Sequence, residues 1–292
     1  MQNSGKKMTK KSNQLNLYSD DIPQKKLKEF VDSDLDIDAW CRRLKTPVLI
    51  TDIYEVFPRL ADWTPNFLDT KVGDTIVDIN SSETDIFVDY HRPVQMSLSE
   101  YSRQIKFDSP DVGRRLYLSA LRIDRTFPTL KSELLFDTLL PQERMLFQWL
   151  WYGPRGNTTG LHYDSSDNFF MQLHGQKRWI MTEPNSILNL HPHSALSKRP
   201  ALSDFNPLQP DFEKFPKAQN VKFYDLVLNP ASVLYIPAFW WHQVVSCNTA
   251  ISVNMWCKTS ILKANWGAVH LVPSFIKTVP FFIKSLLGYE GR

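Results

Sequence analysis

The sequence predicts a mainly β fold, a double-sheet jelly roll flanked by helices on its N-terminal and C-terminal sides. Two observations predict it. Many short β-favouring runs follow one another, each bounded by Gly, Pro or Asn turn chemistry, and the middle of the chain holds few long helical patterns. The composition suits a large core: 292 residues, 42% hydrophobic, with nine Trp and eighteen Phe. That richness argues against disorder, and no internal repeat at a fixed period is present.

Taken in order, residues 1–20 read as a solvated tail, basic through Lys6, Lys7, Lys10 and Lys11. No apolar run follows these lysines, so a signal peptide is not expected. Residues 21–260 form the expected main domain. Pro23–Phe30 and Asp38–Leu44 carry helical patterns, and Pro47–Thr51 is the first β-rich run. Thr64 followed by Pro65 is a helix start, a hydroxyl N-cap with proline at the first helical position. Thr75–Ile79 and Asp85–Tyr90 are strands, and Leu98–Ile105 is an amphipathic helix opened by Ser97. Arg115–Leu121 reads as a strand, Leu130–Leu135 as a short helix or turn, and Arg144–Tyr152 as a long strand. Gly153–Asn157 is turn chemistry. Phe169–Leu173 and Lys177–Met181 flank His174-Gly175-Gln176 as a predicted hairpin. Residues 184–220 read as a long excursion over the surface or over a site mouth. Val233–Pro237, Gln243–Val245 and Thr249–Trp256 are the last strands. Residues 261–292 carry helical signals, with Leu271, Phe275, Val279, Phe282, Ile283 and Leu286 at spacings near a helical turn. That segment either packs on its own core or forms a dimer interface. Pro273, Lys277, Pro280 and Lys284 interrupt it, so no membrane span is expected.

The net charge of +3, from 34 basic and 31 acidic side chains, does not by itself imply nucleic acid. Cys41, Cys247 and Cys257 form no close-spaced pair, which argues against a disulfide framework or zinc knuckle and for a reducing, cytoplasmic setting.

The chemistry concentrates in Thr158–Asp164. His162 and Asp164 are two residues apart, so on an extended strand they face the same side. A third ligand is available from Tyr235–His242, at His242. Two imidazoles and one carboxylate make the facial triad of non-haem Fe(II) oxygenases, with coordination positions left open. Zinc would more often use Cys or three His. His191 and His193 are a rival pair, but Pro192 and a loop setting mark them as surface residues.

Thr159-Gly160-Leu161-His162-Tyr163-Asp164, Asn168-Phe169-Phe170, Gly175–Arg178, Tyr235-Ile236-Pro237 and Trp240-Trp241-His242 together resemble the JmjC/cupin-like family of Fe(II)- and 2-oxoglutarate-dependent hydroxylases. In motif they look closest to the branch of the asparaginyl hydroxylase that inhibits hypoxia-inducible factor. The resemblance spans about residues 45–260 and implies a double-stranded β-helix. It implies that His162, Asp164 and His242 hold iron. It further implies that Lys177 pairs with the distal carboxylate of 2-oxoglutarate, aided by Thr159 and Tyr117. Asn168 and Asn254 are similar to polar residues near the chelating end, and Trp149, Trp151 and Trp256 either line the pocket or belong to the core.

The implied activity is hydroxylation of a peptide or protein side chain, using O2 and releasing succinate and CO2. The same chemistry on a tRNA base or small molecule, N-methyl-lysine demethylation, and a non-catalytic metal-binding scaffold are the alternatives. The resemblance also favours a homodimer through the C-terminal helices, with no membrane partner.

Overall fold

The computed structural model describes residues 15–18, 21–84, 86–87, 93–106, 116–134, 136–194, 197 and 199–259. The C-terminal helical segment, the basic start of the chain and the ends of the Asp85–Tyr90 run lie outside them.

Among the described residues fifteen strands carry the fold. The N-terminal part contributes β1 (Asn16–Tyr18), β2 (Gln24–Lys26), β3 (Val48–Thr51), β4 (Ile76–Ser81), β5 (Ile86–Phe87), β6 (Pro93–Ser97) and β7 (Leu116–Arg122). Next come β8 (Met145–Gly153), β9 (Thr158–His162), β10 (Asp167–His174) and β11 (Lys177–Thr182). The last four are β12 (Lys222–Leu228), β13 (Ser232–Ile236), β14 (Trp241–Ser246) and β15 (Ala250–Cys257). They form a six-stranded sheet in the order β1-β12-β11-β14-β9-β5 and a nine-stranded sheet in the order β2-β3-β13-β10-β15-β8-β7-β4-β6. Two facing sheets with consecutive strands crossing between them are the expected jelly roll.

Strand alternation sorts the side chains into three layers. Between the sheets, Phe170, Leu234 and Ile236 meet Trp179, Met181 and Tyr224. The opposite face of the nine-stranded sheet (Phe169, Met171, Tyr235, Val253, Met255) is covered by the N-terminal helices through Leu27, Phe30, Trp63 and Tyr101. The outer face of the six-stranded sheet (Leu161, Tyr163, Ile180, Trp241) is covered by Ile187, Leu190, Phe205, Phe212 and Phe215. The 184–220 excursion is therefore a packed layer with its own aromatic core.

The cap signals act as read. Thr64 accepts a hydrogen bond from Phe67 N at the start of helix Pro65–Val72, and the hydroxyl of Ser97 accepts from Glu100 N at the start of helix Leu98–Lys106. Other readings change. Gln24–Lys26 is an edge strand parallel to β3, and the helix begins only at Leu27, because pairing with the sheet overrides local helical pattern. Asn16–Tyr18 pairs in parallel with β12, so the end of the presumed tail is an edge strand. Pro93–Ser97 pairs with β4, and the Leu130–Leu135 region splits into helices Pro128–Lys131 and Phe136–Leu139.

The predicted hairpin is the main correction. Strands β10 and β11 flank Gly175 as expected, but they belong to opposite sheets: β10 pairs with β13 and β15, β11 with β12 and β14. The turn is held from outside. Gly175 has a positive φ of 65°, and a Cβ there would stand 2.1 Å from Thr249 O. Asn248 Oδ1 accepts from Gln176 N at 2.7 Å. The connection thus steps from one sheet to the other and puts Phe170 and Lys177 on facing inner walls.

Candidate metal centre and the cavity behind it

Strands β14 and β9 bring the two histidines together, with His242 directly opposite His162 in the antiparallel register. Their rings lie 4.2 Å apart, centroid to centroid. Asp164 follows two residues beyond the end of β9. Its backbone carbonyl accepts from Phe239 N at 2.7 Å, which ties this loop to the turn before β14. Candidate ligand atoms of His162, Asp164 and His242 all lie within 4.8 Å of one another. Each imidazole is oriented the same way: Nδ1 contacts the carbonyl two residues upstream, Gly160 O at 2.8 Å for His162 and Trp240 O at 2.9 Å for His242. A carbonyl can only accept, so Nδ1 carries the proton and Nε2 is left as the lone-pair nitrogen. Asp164 Oδ2 stands 3.8 Å from His242 Nε2. Two neutral nitrogens and a carboxylate oxygen turned to one point form a donor set that fits a divalent transition metal.

The electrostatics agree with an ion-binding pocket. Burial, reinforced by His162 nearby, holds the His242 pKa well below the usual imidazole range, which keeps Nε2 unprotonated. Burial raises the Asp164 carboxyl, with His162 opposing. A bound dication would reverse that desolvation cost by stabilising the ionised form.

The turn carrying His242 is braced from behind. Asp167 is buried; its Oδ1 accepts from Ala238 N at 3.0 Å and its Oδ2 from Arg144 at 3.0 Å. Arg144 also donates to Asp38 at 2.9 Å, and Asp38, fully buried on helix Ile37–Leu44, accepts again from Arg42. This Asp-Arg-Asp bridge joins three elements distant in sequence. Sequence reading missed it, and its one signal was charged residues embedded in apolar runs.

Behind the triad, the inner rows of the six-stranded sheet step toward a buried lysine. Met181, His242 and His162 form the first row; Trp179, Val244 and Thr159 the second; Lys177 and Ser246 the third. Trp179 is the spacer, with ring centroids 5.6 Å from His242 and 4.7 Å from Phe170. Lys177 is only 1% exposed. Its Nζ donates to Tyr117 Oη at 3.2 Å and lies over the rings of Phe170 at 5.2 Å and Tyr117 at 5.6 Å. No described carboxylate pairs with it, and burial pushes its pKa down to about 7. A buried ammonium held only by a phenol and two ring faces is a cradle for an incoming anion. Lys177 and Met181 are about 13 Å apart along the strand, at about 3.3 Å per residue.

Tyr117 reaches this end from β7, its ring 5.4 Å from Phe87 and 6.1 Å from Trp151. Asn168 and Asn254 sit on the inner face of the nine-stranded sheet, where Asn254 Nδ2 donates to Asn168 Oδ1 at 2.9 Å. Trp151 Nε1 donates to Asn254 Oδ1 at 2.7 Å. Asn254 is thus satisfied within the protein. Trp149 and Trp256 pack at 5.7 Å with their indole N–H groups buried and unpartnered. His191 and His193 stand apart from the triad; His193 pairs with Asp204 at 2.8 Å. Cys41 and Cys257 are buried and all three cysteines are free.

The family profile described as a cupin-like domain matches residues 36–262. Jumonji C domain-containing protein 5 of Drosophila melanogaster is 29% identical over 224 residues, which is 74% of this chain and 55% of that protein. The tRNA wybutosine-synthesizing protein 5 of Gallus gallus is 27% identical over 240 residues, 76% of this chain and 72% of the relative. Lysine-specific demethylase 8 of Xenopus tropicalis is 23% identical over 215 residues, 72% and 47% respectively. The chain spans about half the length of the first and third of these. They do not single out the asparaginyl hydroxylase branch.

Proposed function

The chain belongs to the JmjC/cupin-like family, and on that premise we propose that it is an Fe(II)- and 2-oxoglutarate-dependent dioxygenase acting on a peptide or protein side chain. The observation that carries the reading is the pairing of a His-Asp-His donor set with a buried lysine that no described carboxylate pairs with, two rows apart on the inner face of one sheet. A metal-binding scaffold needs the first and has no use for the second.

In this reading His162, Asp164 and His242 hold Fe(II), and Lys177 receives the distal carboxylate of 2-oxoglutarate. When bound, the iron supplies the redox chemistry by which one O2 converts 2-oxoglutarate to succinate and CO2 and places its second oxygen atom on the substrate. The protein's own groups do the rest. Nδ1–H contacts to Gly160 and Trp240 fix both imidazoles before the metal arrives. Tyr117, whose oxygen accepts from Lys177, would place its hydroxyl beside the incoming carboxylate. Thr159, one row from the lysine, adds a second hydroxyl. Trp179 and Phe170 exclude water between the two ends, which strengthens the lysine–carboxylate pair.

One observation favours a second reading. A relative of which the match covers 72% is named for tRNA wybutosine synthesis, so a modified tRNA base is the alternative substrate. Incubating the full chain with Fe(II), 2-oxoglutarate, O2 and either candidate peptides or tRNA, followed by mass spectrometry, separates the two. The proposal expects one added oxygen atom on peptide; a product on tRNA alone favours the alternative.

A further inference from the structure

A second cleft, of about 480 Å³, opens on the other side of the nine-stranded sheet. Strand alternation turns Tyr152 away from the cavity that Trp151 faces, and Tyr152 lines this cleft. The walls come from three places: the start of helix Pro65–Val72, the exposed face of helix Leu98–Lys106, and the β10 end at His174 with Thr249 beside it. The two helices are locked together, since Ser99 donates its hydroxyl to Asp69 and its backbone N–H to Gly73 O. The cleft is therefore a fixed feature of the N-terminal layer.

Four of its polar side chains lack protein partners. Among the described residues nothing hydrogen-bonds to or ion-pairs with the side chains of Asn66, Arg103 or Lys106, or the ring of His174. Tyr152 donates to Ser102 Oγ at 3.2 Å, which leaves the serine proton free to point into the cleft. Burial raises the Tyr152 phenol to about 12, so it remains a donor at neutral pH. Arg103 and Lys106 bring two positive charges. The one carboxylate in the lining, Asp69, is already occupied by Ser99.

We propose that this cleft is a second ligand site, separate from the metal centre, for a small phosphate-bearing anion. Ser102, Arg103 and Lys106 approach from one helix and Asn66 from the other, so a tetrahedral phosphate can present oxygens to both walls where a planar carboxylate meets one. Arg103 supplies the planar fork, Lys106 the point charge, and Ser102 and Asn66 neutral donors. The volume lies within the usual span of small-molecule pockets, so the phosphate can be free or carried on a nucleotide-sized body.

Calorimetric titration of the full chain with inorganic phosphate, AMP and adenosine tests this. Saturable phosphate binding is expected, weakened roughly tenfold or more in Arg103→Gln/Lys106→Gln, with Mn(II) binding at the metal centre unchanged. AMP binding more tightly than phosphate, with adenosine silent, assigns a nucleotide-borne phosphate; equal affinities assign the bare anion. Both substituted side chains are exposed, so the thermal transition should hold; if it falls, the single Lys106→Gln variant carries the comparison. No saturable binding of phosphate or AMP, or identical binding by wild type and variant, overturns the proposal.

Discussion

The two ends of the inner face of the six-stranded sheet, at the triad and at Lys177, are built on opposite principles. At the metal end, every donor is neutral or negative and each imidazole is pre-oriented by its own strand's backbone. At the lysine end, a cation is buried with a phenol and two aromatic faces but no counter-ion. The metal end is complete without a ligand except for the ion itself. The lysine end carries an electrostatic cost that loss of the ammonium proton or the arrival of an anion relieves. In the proposed reading the two ends are filled differently: one by a resident ion, the other by a molecule that comes and goes.

Substitutions can break that contrast, beginning with the largest effect. Asp164→Ala or His242→Ala removes a donor from the metal end, and Mn(II) affinity should fall by more than roughly a hundredfold, beyond the range seen for supporting residues alone. Calorimetry reads this directly, and unchanged affinity in both variants would show that the cluster is not a metal site.

Lys177→Met attacks the other end. It should raise the 2-oxoglutarate requirement by about two orders of magnitude or more, the effect of removing one partner of a buried charge pair, with Mn(II) affinity kept. Lys177→Arg should not rescue it, because a planar fork does not fit where an ammonium sits between two rings. A variant with normal 2-oxoglutarate dependence would remove the lysine end from the account.

The brace behind His242 comes next. Asp167→Ala leaves Arg144 with one carboxylate and frees Ala238 N, so stability should fall by about 3–5 kcal/mol in chemical denaturation. Metal affinity should also weaken, about ten- to a hundredfold. Loss of stability without loss of metal affinity would limit the bridge to the core.

The mildest test is pH. The folded Lys177 pKa is depressed to about 7, below the unfolded value. Between the folded and unfolded pKa values the unfolded chain binds more protons, so stability rises as pH rises through that window; below the folded pKa the penalty is constant. Lys177→Met should flatten this slope. Binding of 2-oxoglutarate above neutral pH should take up a proton, seen as a buffer-dependent heat; equal heats in all buffers would contradict it.

The contrast also explains what was legible in the sequence. The metal end was, because His162 and Asp164 lie two residues apart and His242 stands beside a distinctive Pro-Ala-Phe-Trp-Trp run. The lysine end was legible only through family resemblance: nothing local distinguishes Lys177 from a surface strand lysine, since its burial comes from Tyr117 and Phe170 on the facing sheet. The β10–β11 hairpin was misread because a glycine turn looks the same whether its strands pair or part; the contacts that part them come from Asn248 and Thr249. The Asp38–Arg144–Asp167 bridge joins residues 106 and 23 positions apart, a separation no local pattern reports. The 184–220 layer hid for another reason. Its phenylalanines, Phe205, Phe212 and Phe215, sit in turns and irregular backbone, so no helical or strand period marks them as core.

The most direct test of the account is turnover of 2-oxoglutarate itself, with no assumption about substrate. The full chain supplied with Fe(II), 2-oxoglutarate and air should form succinate. It should stop doing so without O2, in Asp164→Ala, and at ordinary cosubstrate levels in Lys177→Met. Succinate formation undiminished in Asp164→Ala, or none in the wild-type protein under any Fe(II) and 2-oxoglutarate concentration, would contradict it.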